Sequence, residues 1–328
     1  MRIGLYFDLR NPPAWEQEPG RLYGFALEMC EEAERLGADS IWVSEHHMFD
    51  DGYLPQPLTM AAGIAARTTR VRIGTGVVIA PLHHPVHLAE QAAVVDLLSG
   101  GRLDLGIGAG YSRPEFDLFG ADVSTRYTTT DQRCRELREL WSETVRPRPI
   151  QTELPIWMGY GGPQGARRAG LLGAGLLTAN HAMAPPYLAG LAEAGHPPET
   201  ARMAGNAAAW VTDDPDRDWP LVSRHLAHMF DTYRAAAVAG SGAPPPRPVD
   251  PDRLIASSGT TPLSAFRYGT PEDVARSLRT LVGDAPVETL LFWASIAGMP
   301  EDMVARGVAT VCNELKPLLD GIGGLDQR

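Results

Sequence analysis

Lysine and cysteine are scarce in this 328-residue chain, and each shortage narrows its chemistry. Lys316 is the single lysine, so a Schiff base on lysine is excluded at every other position. Cys30, Cys134 and Cys312 are scattered and form no CxxC pair, which argues against a disulfide framework and against a structural zinc site. We therefore expect a protein of a reducing compartment.

Long apolar runs and excess positive charge are also missing. No run reaches the ~18 residues that a membrane-spanning helix needs, and a strand-like segment follows Met1 with no leader of basic and apolar residues. The net charge is −11, and a diffuse negative surface repels phosphate backbones and anionic lipid headgroups. We expect a cytoplasmic protein whose main partner is neither nucleic acid nor membrane.

What the chain does contain is an alternation of strands and helices. The predicted strands are residues 2–9, 40–44, 71–80, 103–107, 154–159, 175–178, 202–212 and 289–294. The predicted helices are residues 25–36, 58–66, 86–98, 130–143, 165–172, 186–194, 221–238 and 300–319, with a further helix beginning at Thr270. Near-continuously apolar strands between helices indicate a parallel sheet buried on both faces, in a barrel or a doubly wound sheet.

Eight strand–helix units in order favour the (β/α)8 TIM barrel, whose active site lies where strands end and helices begin. Residues 239–267 interrupt the pattern with Gly240, Gly242, three consecutive prolines from Pro244 and little apolar periodicity. A loop of this length is a lid or a flexible insert. We predict one α/β barrel domain over residues 1–328, with this long insertion between strands seven and eight.

The first candidate for chemistry is the triplet Glu45-His46-His47, directly after the second predicted strand. An imidazole changes its charge near neutral pH, so it can act as a general base or bind the edge of a ring-shaped cofactor. The alternative is a loop histidine bonded to backbone. Adjacent side chains at a strand end point in opposite directions, so at most one of the two histidines is expected to be chemical.

Three glycine-rich strand ends are further candidates. Gly74 and Gly76 in the third strand indicate a bulge or a ligand close to the backbone, with close packing of a helix as the alternative. Residues 106–111 contain GxGxG, a weak signal because no helix follows at once. Residues 159–165 lead directly into a helix, whose exposed amides suit a phosphate. His83, His84 and His87 lack an acid or cysteine at useful spacing, so no metal site is predicted.

Four segments together resemble the bacterial-luciferase-like flavin monooxygenases over essentially the whole chain. They are SEHHMFDDG at residues 44–52, the run RIGTGVVIAPLHHPVHLAEQAAVVDLLSGGRLDLGIGAGYSRPEFDLFGAD at 72–122, LPIWMGYGGPQGARRAGLLGAG at 154–175, and the ending between 269 and 308. The second segment is the most specific. The resemblance implies a TIM barrel that binds reduced FMN, or in a sister branch a deazaflavin coenzyme, at the carboxyl ends of its strands.

The same resemblance implies roles for particular residues. His46 falls at the family's active-site histidine, with His47 beside it, and these two histidines are the predicted catalytic residues. Gly76-Val77 falls where the family often has a non-prolyl cis peptide under the flavin ring. The cofactor-binding set then comprises Gly76, Val77, Gly108, Ala109, Tyr111, Tyr160, Gly161, Gly162 and Gln164. Bacterial luciferase has a phosphate-binding arginine where this chain has Ala109, so Arg113, Arg126 or backbone amides would have to replace it.

The implied activity is that of an FMNH2-dependent monooxygenase. Reduced FMN from a separate flavin reductase would react with O2 to give a C4a-(hydro)peroxyflavin, which passes one oxygen atom to a small organic substrate. That substrate is expected to be apolar or aromatic, in natural-product or catabolic metabolism, and a homodimer is expected. Candidate substrate contacts are Tyr6, Phe49, Tyr53, Tyr111, His181, Trp210 and Trp293. The alternatives are a deazaflavin-dependent dehydrogenase or reductase of the same fold, and a barrel that binds flavin without catalysis.

Overall fold

The computed structural model describes residues 1–254, 266–320 and 322. Its main sheet is a closed parallel barrel of eight strands, in which β3 pairs with both β2 and β5, and β4 continues β3 beside β5. The barrel strands are β1 (Arg2–Phe7), β2 (Ser40–Val43), β3 (Arg72–Thr75) with its continuation β4 (Val78–Ile79), β5 (Leu103–Gly108), β6 (Ile156–Met158), β7 (Gly175–Leu177), β8 (Met203–Asn206) and β11 (Val287–Trp293). The strands β9 (Ala209–Val211) and β10 (Arg267–Gly269) form a separate two-stranded sheet. The predicted barrel is confirmed.

Helices follow the strands around the outside of the barrel. They are α1 (Pro19–Arg35), α2 (Pro57–Arg67), α3 (Pro85–Ser99), α4 (Arg113–Phe119), α5 (Arg126–Glu139), α6 (Gly162–Leu171), α7 (Ala184–Glu193), α8 (Pro215–Val238), α9 (Pro271–Val282), α10 (Glu301–Thr310) and α11 (Lys316–Leu318). The helix predicted to begin at Thr270 is present, and the Thr270 hydroxyl caps it by accepting from the Asp273 amide at 3.3 Å. Among the described helices, none is both long and apolar enough to cross a bilayer.

Two sequence-based strand assignments need correction. Residues 71–80 are two strands, because the backbone between Thr75 and Val78 leaves the sheet. Residues 202–212 are also two strands, and β9 pairs with β10 outside the barrel. The Asn206 side chain accepts from the Ala208 amide at 2.6 Å, and Ala208 has a φ of 46°. This turn redirects the chain after β8, and apolar periodicity does not report it.

The predicted insertion, residues 239–267, lies partly outside the described residues, because 255–265 are not described. Its first part passes beside the start of α4, where a Cβ on Gly240 would stand 3.2 Å from the Cβ of Arg113. Farther along, the Val249 amide donates to Asp231 of α8 at 2.9 Å. The described part of the insertion therefore packs on α4 and α8.

Indole rings occupy space that glycines leave free inside the barrel. A Cβ on Gly74 would lie 2.2 Å from the Trp42 ring, and one on Gly175 would lie 2.4 Å from the Trp157 ring. The two indoles meet edge to face at 6.4 Å. Gly74 is therefore a packing glycine, and its neighbour is a tryptophan of the barrel interior rather than a helix.

The backbones of β3 and β5 approach each other even more closely. The Thr75 hydroxyl donates to the Gly106 carbonyl at 2.8 Å and accepts from the Gly106 amide at 2.9 Å. A Cβ on Gly106 would stand 1.8 Å from the Thr75 carbonyl oxygen. The first glycine of the GxGxG pattern is thus required by strand packing.

We predict that Gly106→Ala lowers the free energy of unfolding by about 3 kcal/mol or more, because the backbone of β3 must move to admit the methyl group. Gly24→Ala is the matched control, since a Cβ at this α1 position has open space within 4 Å and alanine raises helix stability by about 0.5–1 kcal/mol. Urea denaturation of both variants measures the difference. Equal stability of the two would contradict the close approach.

Candidate active site

Two adjoining chambers open at the carboxyl ends of the barrel strands. The smaller has a volume of about 310 Å³ and the larger about 630 Å³, which is the size range of ligand and cofactor pockets. Both chambers are lined by Tyr6, Gly76, Val77, Gly159, Gly161 and Tyr233. The smaller chamber adds Ser44, Glu45, His46, Ile79, Gly108, Ala109, Gly110, Tyr111 and Tyr127. Most sequence-predicted site residues therefore converge on one cleft.

His46 faces this cleft with one ring nitrogen anchored. Its Nδ1 lies 3.0 Å from Glu115 Oε1, and that oxygen also accepts from the His47 amide at 2.7 Å. Because Oε1 acts as the acceptor in both contacts, Nδ1 carries the proton and Nε2 keeps a lone pair. Nε2 has no hydrogen-bond partner within the described part of the chain. His46 is thus oriented to accept a proton from a ligand.

His47, the second histidine predicted to be catalytic, is not among the residues that line the cleft, because adjacent side chains at a strand end point in opposite directions. Its Nε2 donates to Glu45 Oε1 at 2.8 Å, and its ring centre lies 4.5 Å from that of Phe119. His83 Nε2 donates to the same oxygen at 2.8 Å, and Glu45 Oε2 accepts from the Ile79 amide at 2.7 Å. Burial alone would raise the pKa of Glu45, but these hydrogen bonds from His47 and His83 outweigh it and lower that pKa. Glu45 thereby holds the end of β2 against β4.

Val77 forms the part of the floor that both chambers share. Its methyl groups lie between two strand ends, since a Cβ on Gly108 or on Gly159 would come within 2.5 Å of them. The Gly76–Val77 peptide bond is cis. Gly108 and Gly159 are therefore needed to leave room for the Val77 side chain at the ends of β5 and β6.

A chain of hydroxyl groups runs behind the cleft wall. Tyr53 is its centre: its hydroxyl lies 2.7 Å from Ser44 Oγ, 2.9 Å from the Tyr233 hydroxyl and 3.3 Å from the Tyr6 hydroxyl. Tyr6 donates to the Gly76 carbonyl at 3.2 Å. Burial raises the pKa of Tyr6, Tyr53 and Tyr233. All three phenols keep their protons at neutral pH.

A buried arginine lies beneath the same wall. Arg10 follows β1, is 0% exposed, and forms an ion pair with Asp51, with its Nε 3.1 Å from Oδ2. Its guanidinium carbon is 4.6 Å from the Tyr53 ring centre and 4.9 Å from the Tyr233 ring centre. Such contacts fix the two rings. Neighbouring Asp8 accepts from the Ala297 amide at 2.8 Å, and burial raises the pKa of Asp8 to about 6 despite nearby Arg10.

The start of α6 lies on the other side of the cleft. Gly161 caps the helix without a side-chain hydrogen bond, Gly162 has a φ of 70°, and a Cβ at either position would meet no atom within 4 Å. Gln164 is exposed in the first turn. The Tyr160 hydroxyl donates to Asp131 at 2.7 Å, so this phenol is already committed. What the turn offers an anion is backbone amides.

Arg113 and Arg126 are suggested as phosphate-binding cations, because this chain has Ala109 where bacterial luciferase has an arginine. Of these two, Arg126 lies nearer to the cleft. Its guanidinium stacks 4.6 Å from the ring centre of Tyr127, a residue of the smaller chamber. Its Nε is buried without a partner within the described part of the chain. Arg113 is exposed and packs beside Gly240. Arg126 is thus the better placed of the two.

The suggested substrate contacts divide into three groups. Tyr6, Tyr111 and Trp293 line the chambers. Phe49 and Tyr53 stand one layer behind, with ring centres 4.6 and 4.8 Å from that of His46. His181 and Trp210 lie elsewhere, because His181 bonds to the Thr280 carbonyl and Trp210 packs under Gly307. Those two suggestions are wrong.

Sequence reasoning missed Glu115, Ser44 and Tyr233. Residues 112–115 read Ser-Arg-Pro-Glu, a pattern typical of a helix start with a capping glutamate. It would have revealed α4, but the glutamate turns to His46 instead of capping the helix. Tyr233 enters the cleft from α8, far along the chain, and no local pattern marks it.

The family model for luciferase-like monooxygenases matches residues 1–288. The chain is 34% identical to the oxygenase component of flavin-dependent trigonelline monooxygenase from Acinetobacter baylyi over 48% of each chain. It is 32% identical to the F420-dependent glucose-6-phosphate dehydrogenase of Kineococcus radiotolerans over 48% of this chain and 52% of that one. The matched region spans about half the length of these relatives.

Among solved structures, the monooxygenase RslO1 from Streptomyces bottropensis is similar over 97% of this chain and 99% of its own. The TM-score is 0.79 and the sequence identity is 26%. The structural likeness therefore extends over nearly the whole length of both chains.

We predict that Asp8→Asn gains stability relative to the unchanged protein as pH rises from about 4 to 6. A carboxyl with a raised pKa in the folded state is favourable while protonated, and it loses that contribution as pH rises through the folded pKa of about 6. A shift of about two pKa units corresponds to about 3 kcal/mol. Asparagine keeps the acceptor for the Ala297 amide.

Thermal melts in acid and at neutral pH test this prediction. The exposed Asp117→Asn is the control for the general effect of removing a carboxylate. An Asp8→Asn variant whose stability relative to the unchanged protein is the same at both pH values would show that folding does not raise the pKa of Asp8.

Proposed function

Since this chain belongs to the luciferase-like monooxygenase family, we propose that it is a flavin-dependent monooxygenase that uses reduced FMN and O2 on a small organic substrate. The observation that carries the proposal is that His46, Gly76, Val77 and Gly161 line one chamber. A histidine base, a flat floor and the amides of a helix start are the parts that a ring-and-phosphate cofactor needs.

The cleft fits such a cofactor on three observations. The floor at Val77 is open to both chambers. The start of α6 has no side-chain cap and no acid in its first turn. The Nε of Arg126 is buried and has no hydrogen-bond partner among the residues described. Arg126 also begins α5, where the helix dipole disfavours a cation, so an anion nearby would stabilise it.

In this proposal Gly76, Val77, Gly108, Ala109 and Tyr111, which line the smaller chamber, would hold the flavin ring. The amides at Gly161, Gly162 and Gln164 hold the phosphate, with Tyr160 keeping the turn in place through its bond to Asp131. Reduced flavin supplies the activated oxygen when bound. The aromatic walls exclude water from it.

The chain itself handles the proton. Glu115 holds Nδ1 of His46, so the imidazole presents Nε2 to the cleft and takes a proton from the substrate there. Glu115 acts through His46 and is a positioning residue. His47 supports the same loop through Glu45 and stays outside the cleft.

The proposal also covers the source of the reduced cofactor, the oligomeric state and the location of the protein. We propose a separate flavin reductase as partner, since the trigonelline relative is named as an oxygenase component. A homodimer would cover Val94 and Leu98, which lie one turn apart on α3 and are 45% and 57% exposed. The three cysteines are free and buried, which suits the reducing cytoplasm.

A deazaflavin-dependent oxidoreductase is the second candidate, and the F420-dependent relative supports it. We predict that the purified protein binds FMN more tightly than deazaflavin F420 and consumes O2 only with reduced FMN. Fluorescence quenching measures the affinity, and an oxygen electrode measures the uptake. Tight F420 binding without oxygen uptake would favour hydride transfer instead.

The phosphate assignment has its own test in Gln164→Glu. A carboxylate in the first turn of α6 is compatible with the helix but repels a phosphate, so we expect the affinity for FMN to fall about tenfold. Riboflavin has the same ring and no phosphate, so its affinity should stay unchanged. A parallel loss for both ligands would place the phosphate elsewhere or indicate a folding defect.

A further inference from the structure

The hydroxyls of Tyr6, Ser44, Tyr53 and Tyr233 can make all of their mutual contacts and the bond to Gly76 in only one direction of donation. Each hydroxyl has one hydrogen to donate and two lone pairs. The Gly76 carbonyl can only accept, so the Tyr6 hydroxyl donates its one hydrogen to that carbonyl. The contact between Tyr53 and Tyr6 then needs the hydrogen of Tyr53, and Ser44 and Tyr233 must each donate to Tyr53.

This direction leaves acceptors at the cleft surface. Ser44 and Tyr233 have both turned their hydrogens inward, so each presents only oxygen lone pairs to the smaller chamber, which both line. His46 lines the same chamber and presents Nε2, because its Nδ1 proton is held by Glu115. Ser44, His46 and Tyr233 therefore form an acceptor wall, the name used below for these three residues.

The acceptor wall is held firmly. Arg10 lies 4.9 Å from the ring centre of Tyr233 and 4.6 Å from that of Tyr53, and its NH2 group donates to Thr232 at 2.7 Å. Turning the Tyr53 hydrogen toward Ser44 or Tyr233 would cost its contact with Tyr6 at 3.3 Å. A ligand placed here therefore meets two hydroxyl acceptors, which become donors only at the cost of that buried contact, and the Nε2 acceptor of His46.

Aromatic side chains form most of the remaining surface. Tyr6 and Tyr111 line the smaller chamber, and Tyr6 meets Trp293 of the larger chamber edge to face at 4.5 Å. Such surfaces suit a flat aromatic body. No side chain of Lys or Arg is among the residues that line either chamber in the described structure, so no cationic side chain there attracts an anionic substrate.

We propose that the substrate is an aromatic compound whose hydroxyl group donates to the acceptor wall of Ser44, His46 and Tyr233. This inference rests on the proposed monooxygenase function and names its substrate class. An analogue without the hydroxyl leaves buried acceptors unpaired, a penalty that corresponds to about ten- to hundredfold weaker binding. His46 is the member of the wall that can take the proton.

The test uses 4-nitrophenol and 4-nitroanisole, which differ by the hydroxyl donor and have nearly the same ring. Binding to the full chain is measured by equilibrium dialysis at about pH 6, where the phenol keeps its proton, with and without FMN. The proposal expects the phenol to bind about ten- to hundredfold more tightly. Flavin fluorescence in the same samples reports whether FMN is bound.

Tyr233→Phe removes one acceptor and keeps the ring beside Arg10. It should cut the preference for the phenol about fivefold or more and leave the affinity for nitroanisole unchanged. Tyr127→Phe is the matched control, because this hydroxyl belongs to the same chamber but not to the chain. It should leave the preference as in the unchanged protein.

Three results would overturn the proposal. They are equal affinity for the two probes, a preference that survives Tyr233→Phe, and displacement of FMN by nitrophenol, which would mean that the acceptors serve the N–H groups of the flavin. Failure of FMN to bind would instead overturn the proposed function. The probe preference without FMN would still test the acceptor wall.

Discussion

The buried carboxylate of Glu45 is the interaction on which the rest of the cleft depends. One of its oxygens receives His47 and His83, and the other receives the Ile79 amide. It thereby ties the loop after β2, which carries His46, to β4, which follows the floor at Val77. A buried charge is tolerated only when such bonds satisfy it. The two halves of the proposed chemistry are thus positioned by one side chain.

Much of the barrel could be predicted because its signals are local. A parallel barrel needs apolar strands and regular helices in strict alternation, and both are readable within windows of ten residues. The strand at 202–212 shows the limit. Its second half is as apolar as its first, yet the turn at Ala208 sends it to pair with β10, and pairing partners far along the chain leave no local mark.

The site follows the same division. His46, Gly76, Val77 and Gly161 lie at strand ends and could be proposed from sequence, since all parallel strands end at one mouth. Tyr233 and Arg10 could not, because their roles depend on α8 and the β1 loop meeting across the barrel. Glycines were the most ambiguous signal. Gly74 and Gly106 serve packing, whereas Gly161 and Gly162 leave space in front of amides, and the four look alike in the sequence.

The contact of Gly240 with the first residues of α4 has a consequence for divergence among such barrels. α4 has only seven residues and carries the carboxylate that orients His46, so it links a surface loop to the base in the cleft. Replacing that loop would change the packing against α4 and, in the proposed mechanism, the position of the carboxylate that orients His46, while every cleft residue stayed the same. Relatives with identical pockets could then differ in reactivity through a segment that never meets the substrate.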